Sequence, residues 1–164
     1  MPRTGRVKKR VILKDPIYQS LLVNRLINKI MISGKKTIAQ RQVYKALESL
    51  VDKKDGIKDK DDPLEILDRA LENIKPKMEV RGRRIGGASY QVPIPVRSDR
   101  RESLALRWLI LAAQSKPNKE YHHFWQKLSS EIKDAYNNTG SAVKKKENTH
   151  RMADANKAFS HFRW

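Results

Sequence analysis

Residues 80–101 read VRGRRIGGASYQVPIPVRSDRR, and this stretch decides the fold. Arg81, Arg83 and Arg84 lead to Gly86-Gly87, after which Ala88, Tyr90, Val92, Ile94 and Val96 alternate with Ser89, Gln91, Pro93 and Pro95. Side chains of a strand point alternately to its two faces, so this period of two predicts a strand with one apolar face. Met78, Val80 and Gly82 alternate with Glu79, Arg81 and Arg83 on the way in, and paired glycines accept the positive φ of a tight turn. A two-stranded β-hairpin over about 78–96 follows. Pro93 and Pro95 remove donors from one edge, which blunts pairing with other chains. Arg81, Arg83 and Arg84, with Arg97, Arg100 and Arg101 beyond the far strand, line an arm reaching out from the rest of the chain. Guanidinium groups suit phosphate because their planar fork binds it bidentately and also stacks on bases. The plainer alternative is a solvated, merely charged hairpin.

On either side the periodicity is helical. Asp15-Pro16 reads as an N-cap and first helical position, followed by Ile17, Leu21, Leu22, Leu26, Ile27, Ile30 and Met31, with Gly34 closing the helix. Thr37 and Gln40 have capping-box spacing before Ile38, Val43, Ala46, Leu47, Leu50 and Val51. Asp62-Pro63-Leu64-Glu65 opens a third helix, which packs Leu64, Leu67, Leu71 and Ile74 and stops at Pro76. Asp99 and Glu102 suggest another box before Leu104, Trp108, Leu109, Leu111 and Ala112. Phe124, Leu128, Ile132 and Tyr136 mark a fifth helix. A sixth, from about Ser141, carries Val143, Met152, Ala155, Phe159 and Phe162. The fold class is mainly α: a bundle-like core of six helices over residues 15–164 with the hairpin inserted, preceded by a basic arm at 1–14.

Charge bounds the function. The chain has 164 residues, a net charge of +18 and no cysteine. Such an excess repels itself in a compact state and points to a polyanionic partner, nucleic acid first. The absence of cysteine excludes disulfides and thiolate zinc sites. No run long and apolar enough for a bilayer occurs, and the opening residues lack the apolar stretch of a secretory signal. No membrane partner and no homo-oligomer are expected. Ten Lys/Arg face one acid in residues 1–36 and eight face two in 75–101, whereas 48–72 holds five against nine acids. One basic face and one face turned away from the polyanion are therefore expected.

Further basic groups extend the arm. Arg3, Arg6, Lys8, Lys9, Arg10 and Lys14 lie in a stretch with little apolar content, which suits a segment that orders on a polyanion or a plain solubilising terminus. Lys35 and Lys36 precede a helix N-terminus, where phosphate can sit. Lys144, Lys145 and Lys146 fall in the first turns of the last helix, where the dipole disfavours cations; they mark either function or a solvated face. Some eight neutralised phosphates would give a log–log salt slope of roughly −6 to −7. Trp108 reads as core, and Tyr90 as either a stacking platform for a base or a ring packed on the bundle.

Catalysis finds little support. His122 and His123 are adjacent and cannot share one metal from a helix, and His150 with Asp154 offers two ligands only. No phosphate-binding loop with its lysine is present. The acids at 52–62 alternate with lysines as a solvated loop does. No catalytic residue, metal or cofactor is assigned. A magnesium-dependent nuclease and a free-standing regulatory nucleic-acid binder are the rival readings, the first separable by an RNA cleavage assay.

The stretches MPRTGRVKKRVILKDPIY, PLEILDRALENIKPKMEVRGRRIGGASYQVPIPV, RRESLALRWLI and THRMADANKAFSHFRW resemble, in order and over nearly the whole chain, the universal S-seven family of small-subunit ribosomal proteins, in its bacterial or organellar form. The resemblance implies a structural, non-enzymatic protein that takes part in translation. It implies a primary binder of small-subunit rRNA that nucleates head assembly, cytoplasmic or organellar. Carried onto this sequence, Arg81, Arg83, Arg84, Gly86, Gly87, Tyr90 and Gln91 form a ribbon near exit-site tRNA and mRNA. Arg3, Arg6, Lys8, Lys9, Arg10, Lys35, Lys36, Arg107, Lys144, Lys145 and Lys146 fall in rRNA-facing stretches. The C-terminal stretch, with His150, Arg151, Phe159, Phe162, Arg163 and Trp164, is implied to lie near small-subunit protein eleven, with protein nine another neighbour. DKKDGIKDKDD and KEYHHFWQK depart from the family pattern, so no contacts are carried over there.

Overall fold

The first helix begins later than Asp15. The computed structural model describes residue 5 and residues 11–51 and 62–162. In it α1 spans Leu21–Ile30, and its N-cap is Ser20, whose hydroxyl accepts the Val23 N–H. Asp15 instead closes a turn: its Oδ2 accepts the Ile17 and Tyr18 N–H groups, both at 3.1 Å, while Oδ1 accepts the Tyr44 hydroxyl at 2.7 Å. The carboxylate is spent on a buried tie between the entry segment and the second helix, so Ile17 is left outside the helix and exposed. Gly34 likewise does not close α1, which ends at Ile30; Met31 is its C-cap.

The remaining helices are α2 (Lys36–Val51), α3 (Pro63–Ile74), α4 (Ser98–Ser115), α5 (Phe124–Tyr136) and α6 (Gly140–Ala155), followed by a 3-10 helix at Lys157–Phe162. Helix α3 begins as its sequence predicts, with Asp62 Oδ1 accepting the Leu64 N–H and Pro63 in the first turn. Two predicted boxes fail. Thr37 lies inside the first turn of α2. At α4 the N-cap is Arg97, without a side-chain hydrogen bond, so Asp99 lies inside the first turn and Glu102 beyond the box position; Glu102 instead reaches across to α1 and accepts Arg25 Nη1 at 2.6 Å.

Helix α5 is the hub of the core and packs against α2, α3, α4 and α6. Leu26, Leu47, Leu50, Ile66, Leu67, Leu71, Leu106, Leu109, Leu128 and Ile132 are fully buried, each burial stabilising by about 1.5–3 kcal/mol. The phase of several stripes differs from expectation. Ile38, Leu111 and Met152 are exposed, and Leu104 is only partly covered. In their place α4 buries Ala105, Leu106, Ile110 and Ala113, and α6 buries Ala142, Val143, Thr149 and Ala153. The aromatic-rich turn before α5 is used internally: Phe124 and Trp125 pack on the core, the Trp125 N–H donates to Gln42 Oε1 at 3.1 Å, and the His123 N–H donates to Gln126 Oε1 at 3.0 Å.

A charged cluster joins α4, α5 and α6. Lys116 Nζ donates to Asp134 Oδ2 at 2.6 Å and to Ser130 Oγ at 2.8 Å, and lies 3.3 Å from Glu131 Oε2. Burial pulls the Lys116 ammonium down, but the Asp134 and Glu131 carboxylates outweigh it and raise it. Glu131 is fully buried, and its Oε1 accepts the Ala142 N–H at 3.0 Å, capping the start of α6.

The Asp15–Tyr44 tie has a pH signature. Burial, followed by the bond to Asp15, pushes the Tyr44 phenol up to about 12. The native state therefore holds this proton more tightly than the unfolded chain, whose tyrosines titrate near pH 10. Its contribution is complete below about pH 10 and is lost as the pH rises toward 12. Tyr44→Phe should cost about 1–2 kcal/mol at neutral pH through the lost bond to a buried carboxylate. In paired thermal melts its deficit against the natural protein should shrink above about pH 10; a constant deficit would contradict the tie.

Candidate nucleic-acid interface

Strands β1 (Met78–Ile85) and β2 (Ala88–Pro95) form the expected antiparallel hairpin, with Met78 opposite Pro95 and Ile85 opposite Ala88. Gly86 at φ +55° and Gly87 at φ +90° make the turn, the mirror-image type that matches the twist of the strands. Val96 N–H donates to Lys77 O at 3.1 Å, so by alternation the nitrogens of Pro93 and Pro95 face the outer edge, as expected. Among the described elements, the hairpin backbone lies against α6 and the 3-10 helix alone.

The register corrects the expected division of faces. Directly opposed residues share a face. Arg81 faces Val92 and Arg83 faces Tyr90, so these arginines stand with the β2 apolar set, while Met78 and Val80 stand with Pro95 and Pro93. Each face is mixed.

At the hairpin base Glu79, Arg81, Arg83 and Ile94 meet Pro95, Val96, Arg97 and Arg100 around a cleft of about 410 Å³. Its centre is Glu79, 8 % exposed. Oε1 accepts Arg81 Nε at 2.6 Å, and Oε2 accepts Arg100 Nε at 2.7 Å. Arg81 and Arg100, expected to point freely outward, are thus held by a carboxylate that also ties β1 to α4. Arg101 is turned inward, its Nε donating to Val96 O at 2.9 Å. Arg84 and Arg97 are exposed. A carboxylate fixes the direction of two guanidinium forks, and their remaining N–H groups are available to an anion.

A second basic face lies on α1 and α4. Lys29 Nζ donates to Ser103 Oγ at 3.1 Å. Burial, then the neighbouring Arg107 charge, lowers the Lys29 ammonium. Arg107 is exposed, and the two cations share a hollow with Ile110, Leu111 and Gln114. Like charges placed together oppose folding and are relieved by an anion. Lys29 was missed from sequence because it belongs to no basic run; its signal was its i,i+4 spacing from Arg25 on the polar side of an apolar helix. Lys35 and Lys36 are exposed at the start of α2, and Lys144 and Lys145 are exposed on α6. Lys146 is not part of that set. Its Nζ donates to Asn73 O at 2.6 Å, satisfying a carbonyl at the end of α3 that has no helical partner.

Tyr90 packs inside the protein, the second of its two expected readings. Its ring packs on Phe159 and Phe162, with centroids at 5.3 and 5.5 Å, so these two rings serve the hairpin before any protein neighbour. His150 Nε2 accepts the Lys77 N–H at 3.0 Å, and burial, then Lys146, lowers its pKa. Gln91 and Arg151 are exposed. Arg3, Arg6, Lys8, Lys9, Arg10, Arg163 and Trp164 and the acidic loop 52–61 lie outside the described residues. Among the described residues no group of three potential ligands is placed to hold a metal ion, and no helix is long and apolar enough to cross a membrane.

A sequence model of the family described as ribosomal protein S7p/S5e matches residues 2–157. The chain is 56 % identical to small ribosomal subunit protein uS7 of Caldicellulosiruptor saccharolyticus, over 164 residues and 100 % of both chains. It is 52 % identical to the protein of that name from a Sulfurihydrogenibium species and 53 % identical to that from Nitratidesulfovibrio vulgaris, again over the full length of each.

Proposed function

Because the chain belongs to the ribosomal protein S7p/S5e family, whose members are structural, non-enzymatic components of the ribosome, we propose that it is a primary binder of small-subunit rRNA that nucleates assembly of the subunit head. The observation that carries this reading is the convergence of Arg81, Arg83, Arg97 and Arg100 on one cleft between the ribbon and the helical core. Phosphate contacts position a protein on RNA, and several such contacts made together hold separate RNA segments in one arrangement. The Lys29–Arg107 hollow and Lys35, Lys36, Lys144 and Lys145 supply further contacts, and residues 1–14 add a basic arm. The ribbon, with Arg84, Gly86, Gly87 and Gln91 toward its tip, reaches toward exit-site tRNA and mRNA. Small-subunit proteins nine and eleven are the protein neighbours, and the work is done in the cytoplasm.

The test is footprinting of naked small-subunit rRNA with the purified protein. Protection confined to the head domain, with binding that weakens steeply with salt, is the expected result. Protection that requires other ribosomal proteins to be present would refute the primary role, and persistent absence from sedimenting small subunits would favour the free-standing regulator.

A further inference from the structure

We propose that the 3-10 helix Lys157–Phe162 is a strut that sets the direction of the ribbon, and that Tyr90, Phe159 and Phe162 are positioning residues for RNA binding although none of them touches RNA. A two-stranded hairpin is marginal by itself. Its base is held by the Glu79–Arg100 pair, by the Lys77 N–H that donates to His150 Nε2, and by packing against α6. The polar ties act at the first pairs of the register and the buried Val92 and Pro93 stand at its middle, so the 3-10 helix is what bears on the distal half. Tyr90 lies far out, three pairs from the turn counting Ile85–Ala88 as the first. There its ring meets Phe159 at 5.3 Å and Phe162 at 5.5 Å, and the phenylalanine rings stack on each other at 6.5 Å. Tyr90 shares a face with its directly opposed partner Arg83. The strut therefore bears on the face that presents a cleft arginine, and fixing the ring fixes where that guanidinium points. The arrangement also explains why the chain leaves α-helical geometry after Ala155: the tighter 3-10 turn brings Phe159 and Phe162 to one side.

The RNA consequence rests on the reading above, so the test separates the two. The chain has no natural cysteine, which allows spin labels at Arg84→Cys near the ribbon tip and Lys45→Cys on the exposed side of α2. In the full chain the label–label distance distribution is expected to be narrow, and to broaden in the Phe159→Ala/Phe162→Ala background while helical content is unchanged. Tyr90→Ala should broaden it likewise, and Tyr90→Phe, which keeps the ring, should restore it. In unlabelled protein, affinity for a head-domain rRNA fragment should fall about tenfold in the double variant, the loss of two ring contacts. An unchanged distribution in both backgrounds overturns the strut, and broadening with unchanged affinity overturns the positioning role. Broadening in a protein whose natural form does not bind the fragment supports the strut and overturns the RNA-binding reading instead.

Discussion

Gly140→Ala is expected to be the most damaging single methyl in the described part of the chain, at about 3–5 kcal/mol. Gly140 has φ +91°, a conformation L side chains rarely adopt, and an added Cβ would lie 2.9 Å from Asp134 Cβ and 3.0 Å from Glu131 Oε1. The methyl would push away the carboxylate that accepts the Ala142 N–H, and leave a fully buried acid without that donor. Breaking a buried charged contact costs more than the backbone strain alone. A loss of roughly 10 °C or more in Tm follows for a chain of this size. Gly34→Ala is the control: its φ of +74° is also positive, but nothing lies within 4 Å of the added Cβ. It should cost only the strain, about 1–2 kcal/mol. Equal losses at the two positions would show that the Glu131 contact contributes nothing.

The largest effect on binding is expected from Arg83, Arg84 and Arg97 changed together to alanine. Arg84 and Arg97 are exposed, and Arg83 and Arg97 line the basal cleft. Removing three phosphate-seeking groups should make the log–log salt slope for rRNA shallower by about 2–3. Affinity at moderate salt should drop on the order of 100-fold. Arg101→Met and Lys146→Met should behave in the opposite way. Their nitrogens serve Val96 O and Asn73 O, so each should cost about 1–2 kcal/mol of stability and leave the salt slope nearly unchanged. If all five positions moved the slope alike, the division into RNA-facing and structural cations would be wrong.

That division marks where legibility ended. The hairpin was readable because period-two alternation, paired glycines and two prolines are all local signals. Its register was readable too: a two-residue turn at 86–87 pairs even positions of one strand with odd positions of the other. That parity alone sets Arg83 beside Tyr90 and denies the hairpin a purely apolar face. Helix boundaries failed where an expected capping side chain has a distant partner. Asp15 went to Tyr44 and Glu102 to Arg25, partners 29 and 77 residues away. Spacing also proved more legible than phase. Along α4 a repeat of apolar residues fits two adjacent stripes, and the positions of α5 and α6 chose the one containing Ala105, Leu106 and Ile110.

The sequence by itself determined the helical class, the ribbon, the polyanionic partner class and the family, because each depends on local pattern, on summed charge, or on motifs whose order along the chain is fixed. Only the tertiary structure decided which cations face outward. A lysine or arginine reads the same in sequence whether its charge meets solvent, a carboxylate or the open end of a helix. Glu79 and Asn73 reach Arg100 and Lys146, 21 and 73 residues away, only after the helices have packed. Charge is additive along a chain, but its availability depends on neighbours that the chain brings in from far away.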